Sequence, residues 1–389
     1  MPAPAGRRGV VRRLALPLLF APALALAAAF HTRVEASAVA TMHTTTSTIT
    51  PTAMSTAMST AMRPVCIGRH LLDVPADFEP MMGLMAIFTP PELTDDGAPI
   101  TVLVHSMQDD PAQFEAQFKA EVERRHAAIR SAQRRTTRIL TDVRHPDGPG
   151  GEGPGMLPAG EATMFRIREV GTSYNSELHF RKGGAYLVAS SASYQDSYRQ
   201  AEERLLAFAA QVVPASAASP AAARFCLGPV AVGGRHAGEY ATFGFRSKAA
   251  PDVMLSVELD TYAPDESVPL RQRMGGPGAL FGNLLGHYKV LREGEVTVAG
   301  MRAQEWLGWV KLGRAGDAKH YGFALETMRP VPAEMQPRIH LALDSGQGGP
   351  NGERYPNTLD DRQALALWDA ISRSLRAAPA ALSRMAPAR

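Results

Sequence analysis

Side chains that could do chemistry are present in this chain, but none falls into a catalytic pattern. Acyl transfer needs a nucleophile on a strained turn, usually Gly-x-Ser-x-Gly. Gly171-Thr172-Ser173-Tyr174-Asn175 lacks the second glycine, and Asp344-Ser345-Gly346 lacks the first. Zinc needs histidines four apart on a helix or clustered with carboxylates. His105, His126, His145 and His179 are scattered, as are His236, His287, His320 and His340. The acidic pairs Asp95-Asp96, Asp109-Asp110 and Asp360-Asp361 sit in turns or ahead of helices, where carboxylates complement the helix dipole. Two glycine clusters, 148–155 and 275–282, miss the phosphate-binding patterns, because no lysine and helix start follow at the required offset and the second cluster follows a helical stretch. The reading is a non-enzyme with no catalytic residue, cofactor or metal, acting by binding. Leu280 and Phe281, set among flexible residues, and Trp309 are the candidate partner anchors; the other reading buries them in the core.

The elements behind these residues repeat. Cys66-Ile67-Gly68 opens one half and Cys226-Leu227-Gly228 the other, and each half closes with an amphipathic helix followed by Pro-Ala, at Pro214-Ala215 and Pro379-Ala380. Two spans of about 150 residues built alike indicate a duplication or two domains of one topology. In the first, short strands at Leu71–Pro75, Met85–Phe88 and Ile100–Val104 precede a helix with Phe114, Phe118, Val122 and Ile129 on one face and an expected Glu121–Arg125 pair on the other. Strands at 162–168, 176–180 and 185–190 follow, then a helix carrying Tyr198, Ala201, Leu205, Phe208 and Val212, with Ser197 and Gln200 as its capping box.

The second half alternates at Val253, Leu255, Val257 and Leu259, at Tyr321, Phe323 and Leu325, and at Ile339, Leu341 and Leu343, the period of half-buried strands. A helical stretch spans 267–274, and Ala299-Gly300 reads as a tight hairpin turn. The last helix buries Leu365, Trp368, Ile371 and Leu375, with Thr358 and Asp361 as its cap. The fold class is α+β: two similar modules, each an antiparallel sheet with helices packed on one face.

Arg7, Arg8, Arg12 and Arg13, an apolar run from Leu14 to Phe30 and small residues at Ala36-Ser37-Ala38 make a secretory signal over residues 1–38, with a retained anchor as the alternative. Residues 39–63 are a Thr/Ser/Met-rich tether expected to be disordered. The modules span 64–215 and 222–380, and 381–389 form a disordered tail. The net charge of +3 belongs to the signal, which holds five arginines against Glu35, so the exported remainder is near −1 and carries no nucleic-acid signature. Once the signal is removed, no membrane span is expected. Cys66 and Cys226 are the only cysteines. Equivalent positions meet only near a pseudo-twofold axis, so a disulfide would staple the halves there; the alternative is two separately buried thiols.

Cys66-Ile67-Gly68-Arg69-His70-Leu71-Leu72-Asp73-Val74-Pro75, Phe225-Cys226-Leu227, Pro251-Asp252-Val253, the stretch from Leu291-Arg292-Glu293-Gly294 to Met301, and Ala364-Leu365-Ala366-Leu367-Trp368-Asp369 together resemble the class-four Tle cognate immunity proteins of type VI secretion lipase effectors. The resemblance covers nearly all of the chain after the tether. It implies a periplasmic two-domain protein that binds and inhibits a secreted lipase or phospholipase of α/β-hydrolase type, protecting producer and sibling cells. The alternatives from other classes are a periplasmic small-molecule or lipid-binding protein and a degenerate hydrolase.

Overall fold

Alternating apolar residues drive most of this chain into strands, and the strands assemble into two antiparallel sheets. The computed structural model describes residues 61–81, 83–91, 98–106, 111–133, 136–145, 161–215, 224–262, 268–275, 288–311, 319–328, 336–346 and 357–378. The expected signal, the tether as far as residue 60, both acidic pairs before residue 111 and the expected tail lie outside them.

The first half contributes β1 (Met62–Gly68), β2 (His70–Pro75), β3 (Phe78–Pro80), β4 (Leu84–Thr89), β5 (Ile100–Ser106), α1 (Pro111–Gln133), β6 (Ile139–Arg144), β7 (Ala162–Arg168), β8 (Ser173–Lys182), β9 (Ala185–Tyr194), α2 (Tyr198–Gln211) and β10 (Val212–Pro214). The second contributes β11 (Phe225–Leu227), β12 (Val230–Val232), β13 (Gly238–Ser247), β14 (Met254–Asp260), α3 (Leu270–Gly275), β15 (Tyr288–Val298), β16 (Met301–Lys311), β17 (Lys319–Thr327), β18 (Arg338–Ser345), α4 (Asp361–Ser372) and β19 (Arg376–Ala377).

Both sheets read the same from the middle outward. The large one runs β15-β16-β17-β18-β14-β13-β4-β5-β9-β8-β7-β6, with β3 also pairing β13, and the small one runs β10-β12-β11-β1-β2-β19. Thus β13 answers β4, β14 answers β5, and so on to the edge strands; β11 and β12 likewise answer β1 and β2. The halves share one topology, and they do not keep separate sheets. β4 pairs with β13 at Ala86↔Ala241, and β1 with β11 at Ile67↔Leu227. Both ladders therefore cross from one half into the other.

The core lies between the sheets. Ile67, Leu72, Val74, Phe225, Leu227, Val230 and Val232 of the small sheet pack with Ala86, Phe88, Val102, Phe243, Leu255, Val257 and Leu341 of the large one. α2 joins this layer through Leu205 and Phe208, and α4 through Trp368 and Ile371. Trp368 is wholly buried, meets Phe323 edge-on and donates its indole N–H to Glu305.

Several local expectations are corrected. Glu121 pairs with Arg124, because Arg125 turns inward to Glu177 on β8. Ser197 does not cap α2; its hydroxyl bonds Tyr194 in the preceding 3-10 turn. The cap of α4 is Asp360, whose carboxylate accepts from the Gln363 N–H while the Gln363 side chain accepts from the Asp360 N–H. Thr358 and Asp361 are used elsewhere: Thr358 Oγ1 donates to Asp252, and Asp361 accepts from Lys319 and Tyr321. β1 takes in Met62 and Arg63, the last residues of the expected tether. The Ala299-Gly300 hairpin is present, with φ of 49° and 74° at the two turn residues.

Cys66 and Cys226 form a disulfide with Cα atoms 5.7 Å apart, across a separation of 160 residues. In the chain-entropy account a bond closing so long a loop stabilises by about 5 kcal/mol. The doubly substituted Cys66→Ser, Cys226→Ser chain is therefore expected to lose about that much stability in urea unfolding while keeping its far-UV spectrum, since both ladders remain.

Candidate interaction surface

Residues around the junction of the halves hold the large sheet in one shape. Gly68 has φ of 54°, and a Cβ there would stand 2.6 Å from Leu259 Cδ1, so only glycine lets the end of β1 lie on β14. The next residue, Arg69, is buried and reaches from the small sheet to Glu239 of β13 with Nε–Oε2 3.0 Å and Nη2–Oε1 2.5 Å. A buried bidentate pair is costly to break, because removing one partner strands a charge in the core. His70 follows, buried, with neither ring nitrogen hydrogen-bonded; burial and then Arg69 hold it down to about 4, so it is neutral at neutral pH.

With the small sheet, α2 and α4 on one face of the large sheet, the alternate residues of each strand point to the opposite, outer face. α1 covers one end of that face. Phe118 meets Tyr186 edge-on at 5.5 Å, and Ile129 packs with Phe165 and Ile167. α3 covers the other end: Leu270 is buried, the Arg271 N–H donates to Gln304 Oε1, and Arg273 pairs with Glu326. Between them no described helix lies on the sheet. Met85, Ile87, Tyr240, Thr242 and Met254 are half-buried there, and Leu103 and Ser256 are exposed. The open face spans both halves, so it exists only where the β4–β13 ladder is intact.

The two covered ends use the same electrostatic device. Burial alone would raise the Glu177 carboxyl, but hydrogen bonds from His179 and Arg125 bring it down to about 2. Glu326 is opposed by burial in the same way and brought to about 2 by His340, Arg273 and Arg338. Each is a sheet carboxylate held by an arginine from the helix above it, which fixes α1 and α3 in place. Asp344 differs. It lies on the outer face beside Gly322, and desolvation pushes its carboxyl up to about 6, eased only by the nearby His340.

Among the described residues, the cysteines are the one pair of candidate site residues that the fold brings together. Trp309 is half-buried with its ring against the core, on the side of β16 that carries Ala303 and Leu307 inward. Lys319 Nζ stands 4.9 Å from its ring centroid and also bonds Asp361, while the indole Nε1 has no partner. Leu280 and Phe281 lie outside the described residues. Asp344 went unnoticed in the sequence as a surface feature, while Trp306 was as ambiguous between anchor and core as Trp309; the signal available was the small residues, Gly322, Ala324 and Ala342, between large inward ones. Among the described residues no group of three or more His, Cys, Asp or Glu is placed to hold a metal ion, and no helix is long and apolar enough to cross a membrane.

This architecture has known counterparts. Residues 219–380 match the family model described as Tle cognate immunity protein 4 C-terminal domain. Among solved structures, the chain is similar to the immunity protein TplEi of the T6SS from Pseudomonas aeruginosa complexed with "L" peptide: 18% identity, 82% of this chain and 99% of that one covered, TM-score 0.55. Apo TplEi matches at 18% identity, 82% and 97% coverage and TM-score 0.54. The Tle4-Tli4 complex matches at 19% identity, 82% and 98% coverage and TM-score 0.55. At these identities the likeness is one of fold, and it extends over both halves. No curated protein sequence matches the chain.

Asp344 gives this surface a measurable signature. Its carboxyl lies above the ordinary 3.8, so the folded state holds a proton that the unfolded state releases between pH 3.8 and about 6. Stability falls as pH rises through that window, and above it the folded chain carries a desolvated charge. Asp344→Asn should raise the stability at pH 7.5 by up to about 3 kcal/mol, with the gain gone below pH 4, as read by urea unfolding at both pH values.

Proposed function

We propose that the chain is an immunity protein of a type VI secretion system, exported to the periplasm, which binds a secreted lipase effector of α/β-hydrolase type and blocks it. The observation that carries this reading is the match of residues 219–380 to the C-terminal domain of Tle cognate immunity protein 4. The shared fold with TplEi and with the Tle4-Tli4 complex over 82% of the chain supports extending it to both halves. A rigid body with a broad open sheet face suits inhibition by occupation, which needs shape and charge and no catalytic group. On this reading the chain is not an enzyme, and the arginines Arg7, Arg8, Arg12 and Arg13 and the apolar run behind them serve export.

Capture from the producing strain tests this. With the chain from Val39 onward as bait, a lipase should be recovered in stoichiometric amount and should lose esterase activity when more bait is added. Recovery of no lipase, with a small molecule retained by the bait in native mass spectrometry, would overturn the reading in favour of a ligand-binding protein.

A further inference from the structure

Strand register sets five outer-face residues in one line across the second half. Trp306 of β16 faces Ala324 of β17, Ala324 faces Ala342 of β18, Ala342 faces Ser256 of β14, and Ser256 faces Gly244 of β13. The three middle side chains and the terminal glycine are small, so the line is a trough in the sheet surface. Its ends are raised. The Trp306 ring folds back over Gly308, where a Cβ would stand 2.6 Å from Cη2, and Met81 lies over Gly244 with Sδ 3.3 Å from a Cβ built there. Four interstrand spacings make the trough about 19 Å long.

Its electrostatics are one-sided. Asp344 stands on one border, in register with Gly322 and Met254, and among the described residues only its Oδ1 approaches the space above Gly322, at 4.0 Å. Glu258 stands on the other border and accepts a hydrogen bond from Tyr240. Among the described residues neither carboxylate has a lysine or arginine within ion-pair distance, whereas Glu326 close by is held by Arg273 and Arg338. Desolvating a carboxylate without a cation is unfavourable in the isolated chain, and an arriving cation recovers that cost on binding. Small residues beneath let a partner backbone come close, and the Trp306 and Met81 side chains offer apolar contact at each end.

We propose that this trough is the docking site of the effector, taking a segment that lies across the strands and delivers an arginine or lysine side chain to Asp344. The inference rests on the immunity reading and adds to it the face used and the chemistry of the segment. A partner that docks here meets the second half directly.

The test uses the full chain from Val39 and, as probe, the purified lipase recovered by the capture experiment, with affinity measured by calorimetry. Ser256→Trp fills the trough from an exposed position and Ala342→Trp from a half-buried one; Asp344→Asn removes the charge. Unfolding midpoints establish that each variant is folded, and Val170→Trp, at an exposed turn far along the sheet, is the control. Either tryptophan is expected to weaken binding about 100-fold and Asp344→Asn about 10-fold, with the Asp344→Asn difference shrinking in high salt and the control unchanged. Folded variants that bind within about threefold of the parent would overturn the docking site while leaving the immunity reading intact. Loss in the tryptophan variants with none in Asp344→Asn would overturn the cationic segment. A parent chain that dimerises through this face, becoming monomeric in Ser256→Trp, would assign the trough to a second copy and overturn the proposal. A parent that binds no lipase would overturn the earlier reading, and this one with it.

Discussion

Everything in this molecule depends on the antiparallel ladder between β4 and β13. It joins two sheets that could each have ended in an open edge, and an open edge is a liability that a fold must cover or pair. By pairing equivalent strands the chain removes two edges at once. It also creates a single surface about twelve strands wide, which neither half could present. Three further contacts reinforce the join from the small sheet: the Ile67↔Leu227 pairing, the Cys66–Cys226 disulfide and the buried Arg69–Glu239 pair. The disulfide sits where the halves are related, and there two equivalent cysteines can reach each other.

Duplicate topology has not meant duplicate surface. Both halves place a helix on the outer face after their second central strand, yet α1 has 23 residues and α3 has 6. The anchoring device is kept, with Arg125 on Glu177 in one half and Arg273 on Glu326 in the other. The long helix covers its end of the sheet with Phe118 and Ile129, while the short one leaves Ala324 and Ala342 uncovered. The two ends of the outer face are thus covered by helices of very different length.

Much of this was legible in the sequence, for physical reasons that also explain what was not. Strands buried on one face carry a period of two, so Leu255-Val257-Leu259, Tyr321-Phe323-Leu325 and Ile339-Leu341-Leu343 declared themselves. β6 did not, because an edge strand with Arg144, Asp142 and exposed Ile139 has no apolar period. β13 went unread although Ala241, Phe243 and Phe245 alternate, since Gly238 and Gly244 look like turn residues; the second is small because Met81 lies over it. Capping was read two residues off at α4, with Thr358 and Asp361 in place of Asp360 and Gln363, because Thr358 is a good cap residue by type but its hydroxyl is spent on Asp252. Pairing of the halves through shared strands had no local signal at all. It is a long-range contact, and only the matched cysteines hinted at it.

The proposed inhibition requires a rigid surface, and that rigidity depends on the join. Hydrogen exchange of the full chain measures it directly. If the halves are one body, the amides of Ala86 and Ile87 on β4 and of Tyr240 and Ala241 on β13 should exchange only through global unfolding, among the slowest in the protein. Exchange there as fast as on the edge strand β6 would mean that the halves part on their own, and the single continuous face would not describe the molecule.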